Sequence, residues 1–197
     1  MRKIKIVSSI LGLLIIHGLM SCSSHPKEAE VMAPATQKSN AGAVGIEAHQ
    51  VATEQNAQFV TELSFKKKQQ TLSKANKKKL NKILDEAAQR GEFEEIKVIS
   101  WADSEYPSVH TKKLSKEEQK IAVERNDVIK SYIYDRKGKV EIATYSMAER
   151  ANALKEFVGS SEARVKKSLE MAGIPTTDTT IKYPSKASKS IVMIIMK

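Results

Sequence analysis

Cysteine is nearly missing from this 197-residue chain: Cys22 is the only one, so no internal disulfide can staple the fold. Aromatic residues make up 5%, with a single tryptophan, Trp101, against 41% hydrophobic residues and 28% charged ones. That balance excludes a multi-span membrane protein and a wholly disordered chain, and the length suits one domain better than two. The four histidines, His17, His25, His49 and His110, have no metal-ligand spacing, so no metal is expected. There is no serine elbow, glycine-rich phosphate loop or zinc motif, and Asp103, Glu105 and Asp127 are too dispersed for an acid/base pair. The chain is therefore read as no enzyme, without a cofactor.

What is present begins at the N-terminus. Arg2, Lys3 and Lys5 precede an apolar run over residues 6–20, interrupted by Ser8, Ser9, Gly12, His17 and Gly18. A basic start, a short apolar stretch and small residues before the cut describe an export signal, and the run is short for a permanent span. Leu19-Met20-Ser21-Cys22 resembles a bacterial lipobox, in which the cysteine is acylated and becomes the mature N-terminus. The resemblance implies acyl chains on Cys22, and more than one chain makes anchoring stable. Ser23 follows, which points to the outer membrane, with the folded part on the periplasmic face. Removing residues 1–21 takes away three basic and no acidic residues, leaving 30 basic against 23 acidic, or +7. An exported chain does not meet nucleic acid, so the basic surface is expected to face envelope carboxylates or phosphates.

Residues 22–57 read as a lipidated flexible tether. From Ser23 to Ala57 there is no Phe, Trp or Tyr, and such a segment buries too little apolar area to offset its ordering entropy. Regular patterning starts at residue 58. Residues 59–65 predict a strand with Phe59, Thr61, Leu63 and Phe65 on one face. Ser73 caps a helix carrying Leu80, Ile83, Leu84, Ala87 and Ala88, stopped by Gly91. Lys74, Lys77, Lys78, Lys79 and Lys82 fall mostly off that stripe, as on a solvated face. Residues 96–101 predict a second strand, and Ser115 with Glu118 a capping box opening a helix to about Ile133. Gly138 leads into a strand over 139–145. Ser146 with Glu149 predicts a helix carrying Met147, Leu154, Phe157 and Val158. A further helix carries Val165, Leu169 and Ala172 and ends at Gly173 and Pro175. Residues 181–183 and 191–196 close the domain as strands. Strands alternating with helices argue for helices packed on one sheet.

This order, behind a lipobox and a tether, resembles the OmpA-like peptidoglycan-binding family, including peptidoglycan-associated lipoproteins, over residues 58–197. Phe65 with Thr71-Leu72-Ser73 is similar to the family's Phe, loop, Leu-Ser and first helix. Trp101-Ala102-Asp103-Ser104 resembles its Asp-containing turn. Leu114-Ser115, ahead of a helix with Arg125, Ile129, Tyr132 and Ile133, resembles its ligand-binding helix. Ser188 to Val192 takes the place of its last strand. The resemblance implies an α+β fold, a βαβαβ two-layer sandwich with an extra helical insertion before the C-terminal strands. It also implies non-covalent recognition of the diaminopimelate stem peptide of peptidoglycan. Asp103 would accept from the ligand ammonium, Arg125 would grip a carboxylate through its planar fork, and Thr111 stands where the family has Asn. The family's Arg follows the Ser by three residues, whereas Arg125 follows Ser115 by ten and Glu118 stands at the expected place. A second alignment stays open, with the strand at residues 140–145 and the helix ending at Leu169 to Ile174. It puts Ser146 or Met147 at the Asp position and Ser161, near Arg164, at the Arg position. The same scaffold without wall recognition, binding other envelope proteins, is the alternative function.

Metabolic acyl labelling tests the anchor: Cys22→Ala is expected to lose all label and leave the membrane fraction, and undiminished label would contradict it.

Overall fold

The computed structural model describes residues 44–108, 110–151, 160–171 and 186–197. Cys22 and the sequence-predicted features at Leu154, Phe157, Val158, Ala172 to Pro175 and 181–183 lie outside these. Among the described residues the elements run α1 (Ile46–Glu54), β1 (Phe59–Ser64), α2 (Lys74–Ala88) and β2 (Phe93–Ser100). They continue with α3 (Lys116–Lys137), β3 (Ile142–Ser146), α4 (Ser161–Met171) and β4 (Lys189–Met196). The strands form one mixed sheet in the order β1-β4-β2-β3. The last strand, β4, is antiparallel to both neighbours, while β2 and β3 are parallel. Parallel neighbours need a crossover, and the 22-residue α3 supplies it.

The centre of the sheet is set by β4, whose residues Ser190 to Ile195 are all buried. Continuous burial along a strand requires cover on both faces, and the run Ile191, Val192, Met193, Ile194, Ile195 has no polar alternation to offer water. On one face Phe59, Leu63, Val98, Val192 and Ile194 meet Leu80, Ile83, Leu84 and Ala87 of α2 and Ile129 and Ile133 of α3. On the other, Val60, Ile99, Ile191, Met193 and Tyr145 meet Ala48, Val51 and Ala52 of α1 and Val165 and Leu169 of α4. The described residues therefore form a mixed α/β domain with helices on both faces, three layers where two were expected.

The extra layer moves the domain boundary. The tether was expected to run to residue 57, but Ala48, Val51 and Ala52 are fully buried and Ala57 nearly so. Their i, i+3, i+4 spacing makes a narrow apolar stripe, and small side chains let α1 lie close on the sheet. Opposite the end of α1, Lys97 of β2 donates from Nζ to Gln55 Oε1 at 3.1 Å and pairs with Glu95 at 3.5 Å. A cation beside a helix C-terminus complements its partial negative charge.

The serine caps expected at Ser73 and Ser115 are present, and the one expected at Ser146 is not. Ser73 and Ser115 cap α2 and α3 through their hydroxyls, accepting from Asn76 N and Glu118 N. Ser146 and Glu149 open no helix at residue 146: Met147 and Ala148 form a turn, and Glu149 bridges Lys113. The Glu149 carboxylate pairs with Lys113 Nζ at 2.7 Å, which removes it from the reach-back a capping box needs. The helix α3 runs on to Lys137 and stops at Gly138, whose φ of 71° suits glycine. Ala88, expected on the α2 core stripe, is exposed.

Placing a charge under α1 distinguishes a packed helix from a tether. Val51→Asp is expected to destabilise the domain by at least about 3 kcal/mol in denaturant unfolding; an unchanged midpoint would return residues 46–54 to the tether.

Candidate functional site

Trp101, Ala102 and Asp103 follow β2 directly, and Trp101 N donates to Lys189 O at 2.9 Å, so the chain leaves the sheet still hydrogen-bonded to β4. Trp101 is 2% exposed and packs in the α1/α4 layer, a core aromatic and not a ligand platform. One residue turn later the Asp103 side chain points across to the third turn of α3. There Arg125 Nη2 donates to Asp103 Oδ1 at 2.5 Å, with side-chain exposures of 0% for the arginine and 1% for the aspartate. The ten-residue offset from Ser115 does not separate them, because α3 begins about two turns before it passes the loop.

The guanidinium is tied to two chain segments, the turn after β1 and the loop after β2. Nε donates to Gln69 O at 3.0 Å, Nη1 to Trp101 O at 2.8 Å, and Nη2 also to Lys66 O at 3.4 Å. Four of its five N–H groups thus have acceptors. Its flat face lies 4.8 Å from the Phe65 ring centroid, a cation–π geometry that a desolvated site strengthens. Asp103 is equally engaged: Oδ1 accepts from Ser188 Oγ at 2.6 Å and Oδ2 from the backbone N–H of Lys68. Burial would raise this carboxyl, but hydrogen bonds from Ser188, Lys68 N–H and Arg125 outweigh it and hold the group below its ordinary value.

Both Lys68 and Ser188 sit in the left-handed backbone region at φ 59°. For residues with a Cβ that conformation costs about 1–3 kcal/mol each and persists where surrounding bonds over-determine it. Asp103 supplies such bonds at both places. Ser188 N also donates to Ala102 O at 2.6 Å, so the loop after β2 and the entry to β4 close on each other. Asp103 and Arg125 are the sequence-predicted site residues that the structure brings together, while Lys68 and the hydroxyl of Ser188 were not among them. A tight turn at Lys66 to Gln69 without glycine was the one signal for a strained residue there.

Glu118, at the position where an arginine was expected, has a different task. Its Oε2 accepts from Asp103 N at 2.8 Å and Ser104 N at 3.3 Å, and Oε1 from Ser104 Oγ at 3.0 Å. The carboxylate caps the loop's own N–H groups, and so locks the Asp103 turn onto the start of α3.

Thr111 belongs to another cluster. Its Oγ1 meets Ser108 Oγ at 3.0 Å and its carbonyl accepts from Arg150 Nε at 3.0 Å. The Arg150 guanidinium stacks 4.3 Å from the Tyr106 ring, and Tyr106 Oη donates to Met147 O at 2.9 Å. The structure therefore joins Asp103 to Arg125 and leaves Thr111 outside the pair. At the positions of the second alignment, Met147 is buried, Ser161 Oγ meets Tyr145 Oη at 3.2 Å, and Arg164 is exposed. No aspartate stands there to face a guanidinium.

A second buried charge cluster lies on β1. Glu62 pairs with Lys186 and Lys189, each at 2.8 Å. Burial would raise its carboxyl, and the two lysine hydrogen bonds bring it below the ordinary value. Among the described residues no group of three or more His, Cys, Asp or Glu could hold a metal, and no helix is long and apolar enough to cross a membrane. No protein-family model matches this chain, and a search of curated proteins finds none similar to it.

A carboxyl held below its unfolded-state value binds its proton less readily in the folded chain. The stabilisation from Asp103 is thus full above about pH 4, the unfolded aspartate range, and lost as pH falls through the lower folded value. Asp103→Asn is expected to lower the unfolding midpoint at pH 7 and to flatten the fall below pH 4. Arg125→Ala, which leaves the buried carboxylate alone, should cost about 3–5 kcal/mol; a loss under about 1 kcal/mol, the range of surface pairs, would deny the pair its structural role.

Proposed function

We propose that this chain is an outer-membrane-anchored periplasmic lipoprotein whose folded part is a divergent OmpA-like domain. In this reading the domain works as an envelope protein-interaction module, recognises without catalysing, and does not use Asp103 and Arg125 on peptidoglycan. Export and anchoring rest on residues 1–22 and the lipobox at Cys22. Support for the scaffold comes from β1, α2, β2, α3 and β3, which follow one another in the βαβαβ order the resemblance implies.

The observation that carries the choice of module is the sealing of the ion pair. A diaminopimelate ammonium would need a lone pair of Asp103, and its carboxylate would need Arg125 donors. Side-chain exposures of 1% and 0% leave neither group reachable. Opening the pair would release Lys68 and Ser188 from the contacts that hold their left-handed backbone, and would strip a desolvated charge of its partner.

The second reading, non-covalent contact with peptidoglycan stem peptides, is favoured by one fact: the two residues the resemblance assigns to the ligand do meet, although 22 positions separate them. Sedimentation of the detergent-solubilised lipoprotein with purified sacculi decides between the two. The expected result is no pelleting that free diaminopimelate competes away. Pelleting that is competed, and that a folded Asp103→Asn variant has lost, would overturn the module reading and establish wall binding. Crosslinks to envelope proteins that survive wall digestion are the positive result expected of the module.

A further inference from the structure

The positive charge of this protein is concentrated in one place. Residues 66–84 hold eight lysines and no aspartate or glutamate, while outside them and residues 1–21 the chain carries 22 basic against 23 acidic residues. The domain is otherwise neutral. The eight lie on the turn after β1 and along α2, whose core side is Leu80, Ile83, Leu84 and Ala87.

On the outer side Lys74, Lys78 and Lys82 repeat every four residues, with Lys77 beside them, all exposed, over about 12 Å of helix. Like charges at that spacing oppose one another along a helix, and the first turn of α2 has no acidic residue to balance its N-terminal dipole. Lys68 meets Glu117 at 3.7 Å and Lys82 meets Glu86 at 3.8 Å, both exposed pairs, and Lys79 donates to Glu62 O. Lys77 lies 5.5 Å from the Tyr132 ring. Among the described residues no carboxylate pairs with the ammonium groups of Lys66, Lys67, Lys74 or Lys78.

From this we infer that the Lys66–Lys68 turn and the outer face of α2 form a docking surface for the anionic lipid headgroups of a membrane leaflet. The composition selects that occupant. The stretch contains no arginine, so it lacks the planar fork that recognises single carboxylates or phosphates bidentately. It also contains no Phe, Tyr or Trp, and the Tyr132 ring beside Lys77 is half-buried and held by its hydroxyl on Asn81, so the face offers neither an open stacking platform for bases nor the aromatic anchor of a protein interface. Point charges on a straight, regular face suit a plane of diffuse negative charge, where each lysine near the surface strengthens attraction about fivefold. The choice of a membrane over other polyanions rests on the proposed lipid anchor, which would hold the domain near headgroups at high effective concentration.

The test places the full-length lipoprotein on vesicles of phosphatidylcholine alone and on the same vesicles doped with phosphatidylglycerol. Acetylation of each lysine is then followed by mass spectrometry. Lys74, Lys78 and Lys82 are expected to react about fivefold more slowly on the doped vesicles, with Lys112 and Lys139 unchanged and the difference erased in 1 M salt, where screening is about 3 Å. Equal rates on both vesicles would overturn the proposal. Flotation on neutral vesicles scores the anchor separately: a chain left in solution there would sink the anchor, while the labelling comparison would still decide the surface. Stronger protection by purified sacculi than by doped vesicles would overturn the choice of a membrane. The triple variant Lys74→Gln, Lys78→Gln, Lys82→Gln, checked for unchanged helix content, should abolish any protection of Lys66 and Lys67.

Discussion

A carboxylate and a guanidinium taken fully out of water hold this domain together at the point where its pieces would otherwise part. Asp103 leaves the end of β2, Arg125 projects from the middle of α3, and their contact is dry on both sides. Burying two charges is costly, and the contact is tolerable because hydrogen bonds engage both partners and the Phe65 ring covers the guanidinium face. The turn at Lys66 to Gln69, the end of β2 and the entry to β4 all donate to or accept from this pair. Two residues in unfavourable backbone conformations are held by the same carboxylate. Replacing one partner therefore does more than remove an attraction. It leaves a buried charge and frees two strained turns at once.

That arrangement also bears on what the domain can recognise. A pair built to bind a zwitterionic ligand needs lone pairs and donors pointing outward. Here they point inward, and Glu118 satisfies the neighbouring N–H groups as well. The chemistry the resemblance assigns to Asp103 and Arg125 is thus spent on cohesion, which moves attention to surfaces away from it. The lysine face of α2 is the largest departure from neutrality on the domain, and its lack of arginine and aromatic residues makes it a surface for diffuse charge.

Both layers of helix depend on β4. Its unbroken apolar run forces cover on two sides, and one of those covers is α1, a helix built of small residues. A segment with Ala48, Val51 and Ala52 as its only apolar stripe would not form a stable helix alone. It is ordered by the sheet beneath it, so composition alone made it look like linker.

Much of the fold was legible in the residues. A period-two run marked β1, a short apolar run marked β2, the stripe Leu80, Ile83, Leu84, Ala87 marked α2, and serine caps at Ser73 and Ser115 marked two helix starts, because these signals are local: each is set by side chains within a turn or two. The capping spacing at Ser146 and Glu149 misled, since Ser146 pairs with Ser100 in the sheet and Glu149 bridges Lys113, so the backbone there is held extended by long-range pairing. For the site, the residue types at 103 and 125 were readable, but their meeting was not, because helix position along the chain says nothing about which loop a given turn will pass. By itself the sequence determined β1, β2, the last strand, the core stripe of α2 from Leu80 to Ala87 and where positive charge collects. Only tertiary structure decided that the sheet is covered twice and that the ion pair is sealed. Both outcomes depend on which surfaces exclude water, and water exclusion is a property of the assembled layers.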